Sequence, residues 1–203
     1  MARQETLRKR SRQWIGGLMR RLNAEQKRKL YLLAGSRWDF SRIDDNVWRE
    51  FERKVRDEFR ATVLIVYILS FEELRRIIPI DMYGYPIDRR RDQMANDWAR
   101  TRSENFAKDY VENTTRWVSE LEEKAQESGT PTKQEVDDVT KRAFGIERSD
   151  RVAMTEGNEA ITEGEKGYAE EVNTNGPGIK LLAVWKHHDH RPPGHSRAAV
   201  NPC

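Results

Sequence analysis

All four histidines of this 203-residue chain fall between positions 187 and 195, next to Asp189. Imidazoles grouped near a carboxylate are a donor set for zinc. If 185–190 is extended, successive side chains alternate, so His188 and His190 share one side while His187 and Asp189 take the other. The turn Arg191-Pro192-Pro193-Gly194 could then fold His195 back toward His188 and His190. Three imidazoles leave one coordination position open, as a hydrolytic zinc requires. The spacing fits no well-specified zinc motif, however, and no Cys-x-x-Cys accompanies it. The plainer reading makes Asp189 and Arg191, two apart on one face of an extended segment, a local ion pair that fixes the turn. His195 then hydrogen-bonds backbone. The expectation is no catalytic residue and no cofactor; the alternatives are a small metal-dependent hydrolase or nuclease with zinc at His188, His190 and His195, or a stand-alone nucleic-acid-binding protein that uses the basic N-terminal arm.

Other chemistry is sparse. Glu156, Glu159 and Glu163 follow helical spacing on an acidic segment, which reads as solvated surface before it reads as general acid or base. Glu156 sits mid-helix and could pair with Arg191 or Arg197. Gly176-Pro177-Gly178 is a turn rather than a phosphate-binding loop. No serine lies in a nucleophile elbow. The one cysteine, Cys203, has no evident base partner and allows no internal disulfide, which suits a reducing place of synthesis.

Charge is distributed unevenly. Residues 1–42 hold 12 Lys and Arg against three acids, a net of +9, whereas the remainder carries a net of −6. Arg8, Lys9, Arg10, Arg12, Arg20, Arg21, Lys27, Arg28 and Lys29 are spaced to follow a run of phosphates, with Trp14 and Trp38 able to stack on bases. The same pattern suits an anionic membrane surface or a docked partner. No secretory leader is expected, because no apolar stretch of adequate length follows the basic start. The longest apolar run, 61–69, is too short to span a bilayer.

Hydrophobic residues make up 36% of the chain and charged residues 35%, which suits long, solvent-lined helices. Residues 3–33 read as a broken amphipathic helix, weakened or bent at Gly16-Gly17 and ended by Gly35-Ser36. Asp44 or Asp45 caps a second helix near 46–77, whose stripe is Val47, Trp48, Phe51, Val55, Phe59, Val63, Val66 and Tyr67, continued by Leu69 and Leu74. Pro79 stops it. Asp88 opens another helix to about 126, so that the two form an antiparallel hairpin. Thr132 and Glu135 form a capping box for a short helix ending near 144. Ser149 is taken as the start of the last helix, to about 172. Its three glycines (Gly157, Gly164 and Gly167) require close packing against another backbone or support from an assembly. Residues 179–186 read as a strand whose partner is not evident. The predicted fold is mainly α: long antiparallel helices followed by a small α+β module with one or two short strands. The segments are a basic arm (1–42), a helical hairpin (43–130) and a C-terminal module (131–203).

Within 148–172 the helix carries Thr155-Glu156, then Ala160 and Gly164. After the Gly/Pro break come Trp185, Asp189-His190-Arg191-Pro192, His195 and Ala198. This order resembles the phage Mu F-like minor head proteins, the phage head morphogenesis family, over roughly 133–200. Met154 stands where the family usually has Arg, and Thr162 where it has Asn. Family members continue into a Gly and Pro/Cys-rich tail, whereas this sequence ends at Asn201-Pro202-Cys203. The resemblance implies a structural role for Thr155, Glu156, Ala160, Gly164, Trp185, Asp189, Arg191, Pro192 and His195. It also implies a non-enzymatic minor capsid protein that associates with the portal vertex and assists head assembly, DNA packaging or DNA ejection. Its partners would be the portal protein, other capsid or scaffolding proteins, and packaged DNA. It would be present in multiple copies in a symmetric assembly. Its place would be the virion, in the capsid interior or at the portal vertex, after synthesis in the host cytoplasm.

Overall fold

A computed structural model describes residues 2–35, 38–40, 43–80, 82, 85–176 and 181. Five helices follow in order: α1 (Ala2–Ala34), α2 (Asp45–Ile77), α3 (Ile87–Ser128), α4 (Lys133–Phe144) and α5 (Ile146–Asn175). The mainly helical character expected from the sequence is present. The strand expected at 179–186 lies outside the described residues apart from Leu181. No helix among the described residues is long and apolar enough to cross a membrane.

Local signals account for most helix ends. The Asp44 side chain accepts from the Asn46 N–H and caps α2. Gly35, at φ +66, adopts the left-handed conformation that commonly ends a helix, just after α1. Thr132 and Glu135 form the full capping box on α4, with the Thr132 N–H donating to Glu135 Oε2 at 2.9 Å. Two expectations change. α1 runs unbroken through Gly16-Gly17, because its apolar face is fixed by packing that outweighs the propensity cost of two glycines. α5 begins at Ile146, not Ser149, and Ser149 is buried inside it.

Contacts fix the directions of the helices. Along α1 and α2, Arg21 pairs with Glu58, Lys54 with Glu25, and Lys29 with Glu50, so the two run antiparallel. Phe59 stacks on Phe106, while Arg75 reaches Asp88, so α2 and α3 also run antiparallel. Asn23 meets Ser149 and Arg20 meets Asp150, which sets α5 antiparallel to α1. α2 and α5 therefore run the same way and form the central pair. α1 flanks them, α3 lies chiefly against α2, and α4 packs on the C-terminal half of α3.

One apolar cluster draws on all five helices, including Ile15, Met19 and Leu22 of α1, Phe59 and Val63 of α2, Val118 and Leu121 of α3, Val136 of α4 and Ala160 of α5. The segment 1–42 thus contributes to the same core as the rest. A second cluster, built from Tyr67, Phe71, Ile87, Ala95, Tyr168 and Val172, closes the end where α2 stops and α5 leaves. The predicted α2 stripe is buried from Phe51 to Tyr67, but Ser70 and Phe71 continue it, and Leu69 points outward.

The α5 glycines are sites of close approach. A Cβ at Gly164 would collide with the Tyr67 carbonyl oxygen and lie 2.9 Å from Ser70 Cβ. Ser70 Oγ also donates to the Ile161 carbonyl at 2.8 Å, which ties the two backbones together. At Gly17, by contrast, nothing lies within 4 Å of a built Cβ. Gly164→Ala is expected to destabilise by about 1–3 kcal/mol through overpacking, and Gly17→Ala to stabilise by up to about 1 kcal/mol through helix propensity. Chemical denaturation followed by circular dichroism measures both, and equal effects at the two positions would contradict the packing assigned to Gly164.

Hydrogen bonds from the Thr132 N–H and hydroxyl hold the Glu135 carboxyl below its ordinary value. Its folded-state pKa is therefore the lower one, so its contribution is present above the unfolded value and is lost as pH falls through the folded one. As pH falls below the ordinary glutamate value of about 4.3, the protection of amides at the first turn of α4, relative to their intrinsic exchange rates, should decrease. In Glu135→Gln that pH dependence should vanish, and an unchanged profile would show that the box does not control this helix end.

Candidate functional site

The α5 residues that carry the family resemblance separate by face. Glu156, Ala160 and Gly164 recur every four residues and are all buried, whereas Thr155 is exposed. Glu156 is 6% exposed. Its carboxylate accepts from Arg102 Nε at 2.8 Å and from Arg102 Nη2 at 2.7 Å, the parallel two-bond geometry in which arginine–carboxylate pairs are strongest. Arg102 Nη2 also lies 2.6 Å from Glu159. α3 thus places a guanidinium directly across from both oxygens of Glu156. The pairing of Glu156 with Arg191 or Arg197 expected from the sequence involves residues that lie outside the described ones.

A second arginine occupies the other end of the same cleft. Arg148 is 8% exposed. Its Cζ stands 3.7 Å from the Tyr110 ring centroid and 4.6 Å from that of Trp117. Nη1 donates to Thr114 Oγ1 at 2.8 Å and to the Ala143 carbonyl at 2.5 Å, and Nη2 donates to the Tyr110 carbonyl at 2.9 Å. No carboxylate among the described residues pairs with it. Burial pushes its pKa down from the ordinary arginine value. Two features offset the missing counter-ion: the C-terminal carbonyl of α4, where the helix dipole favours a cation, and two aromatic faces. The network continues through the Tyr110 hydroxyl, which donates to Asn23 Oδ1 at 2.8 Å, and Asn23 Nδ2, which donates to Ser149 Oγ at 3.0 Å. Arg148 and its neighbours thereby join α1, α3, α4 and α5.

The cleft between the two arginines, about 260 Å³, is lined also by Asn105, Asp109 and Asn113. Its carboxylate Glu156 is held by Arg102. Burial pushes the Glu159 carboxyl up, against the pull of Arg102. Farther along the same face of α5, burial, with Glu163, Glu170 and Glu171 nearby, raises the Tyr67 hydroxyl to about 12, so this phenol stays protonated at neutral pH. These groups are arranged to hold helices together. At the end of the bundle, Glu171 (4% exposed) accepts from Tyr85 and Arg90 and from Asn175 Nδ2 at 3.0 Å. Asn173 grips the backbone of Leu181 from both sides: its Oδ1 accepts from the Leu181 N–H at 2.6 Å and its Nδ2 donates to the Leu181 carbonyl at 2.9 Å. The chain leaving α5 is thus held against the second apolar cluster as it enters the segment expected to be a strand.

The basic residues of α1 divide into two groups. Arg20 pairs with Asp150, Arg21 with Glu58 and Lys29 with Glu50, and Lys27 Nζ lies 5.2 Å from the Tyr31 ring centroid. Arg8, Lys9, Arg10, Arg12 and Arg28 are exposed and form no ion pair among the described residues. Trp185, His188, Asp189, His190, Arg191, Pro192 and His195 all lie outside the described residues. Among the described residues no group of three or more His, Cys, Asp or Glu side chains could hold a metal ion. Sequence reasoning missed Arg102, whose signal is a cation inside the α3 stripe of Ala99, Ser103 and Ala107. It also missed the burial of Arg148, placed between Phe144 and Ala153. No family model, curated protein or solved structure matches the chain.

Replacing Arg148 by Met keeps apolar volume but removes the guanidinium donors to the Ala143 carbonyl, the Thr114 hydroxyl and the Tyr110 carbonyl, the last of which keeps only the Thr114 hydroxyl among its side-chain donors. About 3 kcal/mol or more of stability should be lost, with α4 released first, as hydrogen exchange would register. Glu156→Gln should cost only about 1–2 kcal/mol, because Arg102 keeps Glu159. A loss at position 148 no larger than that at 156 would refute the central role given to Arg148.

Proposed function

We propose that this chain is a phage minor head protein of the Mu F-like head morphogenesis type. In this reading it associates with the portal vertex and assists head assembly, DNA packaging or DNA ejection, and it is not an enzyme. The observation that carries the reading is the ordered pair of sequence blocks: Thr155-Glu156, Ala160 and Gly164 on one helix, then Trp185, Asp189, Arg191, Pro192 and His195 after a turn. The role of the first block in the fold is in keeping with it. Glu156, Ala160 and Gly164 pack α5 onto α2 and α3, as residues of a structural motif would. In this reading the second block belongs to the small α+β module expected after α5. Asn173 holds the start of that segment.

Long charged helices suit a role against a ring of portal subunits, where rotational symmetry presents one contact many times. The protein then acts in several copies, in the capsid interior or at the portal vertex, alongside other capsid or scaffolding proteins. Contact with packaged DNA falls to the cations left unpaired on α1, chiefly Arg8, Lys9, Arg10 and Arg12, and is independent of base sequence.

The test is co-expression of the full chain with the portal protein of the same genome, followed by electron microscopy of the purified complex. A portal ring decorated by helical density from this chain is the expected result. A monomer without portal affinity that carries one zinc per chain by elemental analysis would overturn the reading in favour of the histidine cluster.

A further inference from the structure

The seam between α1 and α2, on the side turned away from α3 and α5, is apolar and has no cover among the described residues. Trp14 is 41% exposed, Ile65 51% and Leu69 40%. Trp14 belongs to the apolar pattern of α1, yet it lies outside the buried stripe of Ile15, Leu18, Met19 and Leu22. Leu69 likewise leaves the buried stripe of α2. Two clefts follow one another along the seam. One, of about 410 Å³, lies between Trp14, Leu18, Thr62 and Ile65. The other, of about 320 Å³, lies between Leu7, Arg10, Leu69 and Arg76. Beside the seam Gly17 and Ala61 are both exposed, and nothing stands within 4 Å of a Cβ built on Gly17. Apolar area grouped in this way marks an interaction site more often than scattered exposed residues do.

The charges along the seam select the occupant. Arg10, Trp14, Gly17, Arg21 and Arg28 lie on one stripe of α1, at steps of three, four and seven residues. Arg21 is neutralised by Glu58, and Arg76 by Glu73. Arg10 and Arg28 form no ion pair among the described residues. The α1 rim is therefore positive, beside an apolar floor. A second copy presenting the same seam would bring like charges together, which disfavours that pairing. An amphipathic helix with carboxylates beside its apolar face meets both features. We infer that the α1–α2 seam is a docking groove for an amphipathic, acidic helix of another protein, with apolar anchors over Trp14, Ile65 and Leu69 and carboxylates facing Arg10 and Arg28. This surface is independent of the head-protein reading and survives its failure.

The experiment titrates the full chain with two synthetic helical peptides that share a leucine stripe, one flanked by Glu and one by Lys, and reads binding by calorimetry. The Glu peptide is expected to bind, with affinity falling as salt rises. Ile65→Glu should weaken it by about tenfold or more, as loss of a central apolar anchor does. Arg10→Glu should shift preference toward the Lys peptide. Both positions are exposed, and melting curves matching that of the parent would show that the variants fold. Absence of binding, equal binding of the two peptides, or binding indifferent to both substitutions would overturn the proposal. So would a dimer in sedimentation that Ile65→Glu dissociates, because a second copy would then occupy the groove.

Discussion

The Arg148 guanidinium is the interaction on which the arrangement of helices most depends. A buried cation without a carboxylate is costly unless every donor finds an acceptor and the charge finds compensation. Here the acceptors are a hydroxyl of α3, a carbonyl of α3 and the last turn of α4, and the compensation comes from the faces of Tyr110 and Trp117. These demands can be met together only when α3, α4 and α5 stand in one relative placement. An apolar side chain at 148 would tolerate sliding between helices, whereas a guanidinium with three directed bonds does not. Through Tyr110 and Asn23 the same constraint reaches α1.

At the middle of the bundle, geometry takes over from charge. Gly164 lets α5 approach α2 so closely that Ser70 can bond to the Ile161 carbonyl, and the Arg102–Glu156 pair locks α3 onto the same stretch of α5. α5 is therefore gripped along its length: by Arg148 near its start, by Glu156 and Gly164 in the middle, and by Glu171 near its end. Asn173 extends the hold to Leu181.

The excess of positive charge on α1 has two fates. Arg20, Arg21 and Lys29 meet carboxylates of α5 and α2 and lower the repulsion that a basic helix would otherwise create in the bundle. Such exposed pairs each contribute little to stability, about 0–1 kcal/mol, but they remove those cations from the set available to a partner. What remains is the N-terminal group around Arg8 to Arg12, and Arg28, beside an apolar seam. Partner recognition by α1 is thereby narrowed to a smaller surface than its composition suggests.

Helical periodicity, the Asp44 cap, the Thr132–Glu135 box and the stops at Gly35 and Pro79 were all legible in the sequence, because each is decided within a few residues of chain. So was the need for close packing at the α5 glycines, since three glycines in one helix have few other physical uses. The direct partners were not legible. Arg102 stands 54 positions from Glu156 and Asn23 126 from Ser149, and no local rule relates such residues. The sequence placed Glu156 mid-helix and suggested Arg191 or Arg197 beside it; the crossing of α3 over α5 brought Arg102 to its carboxylate. It marked nine basic residues as one set; the tertiary fold divided them by placing carboxylates of α2 and α5 beside only some. By itself the sequence determined where most helices begin and end and most of which faces are apolar, which are matters of local hydrogen bonding and period. Only the tertiary structure decided which charges are neutralised, which apolar residues remain uncovered and where a buried cation finds its acceptors, because these depend on distances between segments remote along the chain.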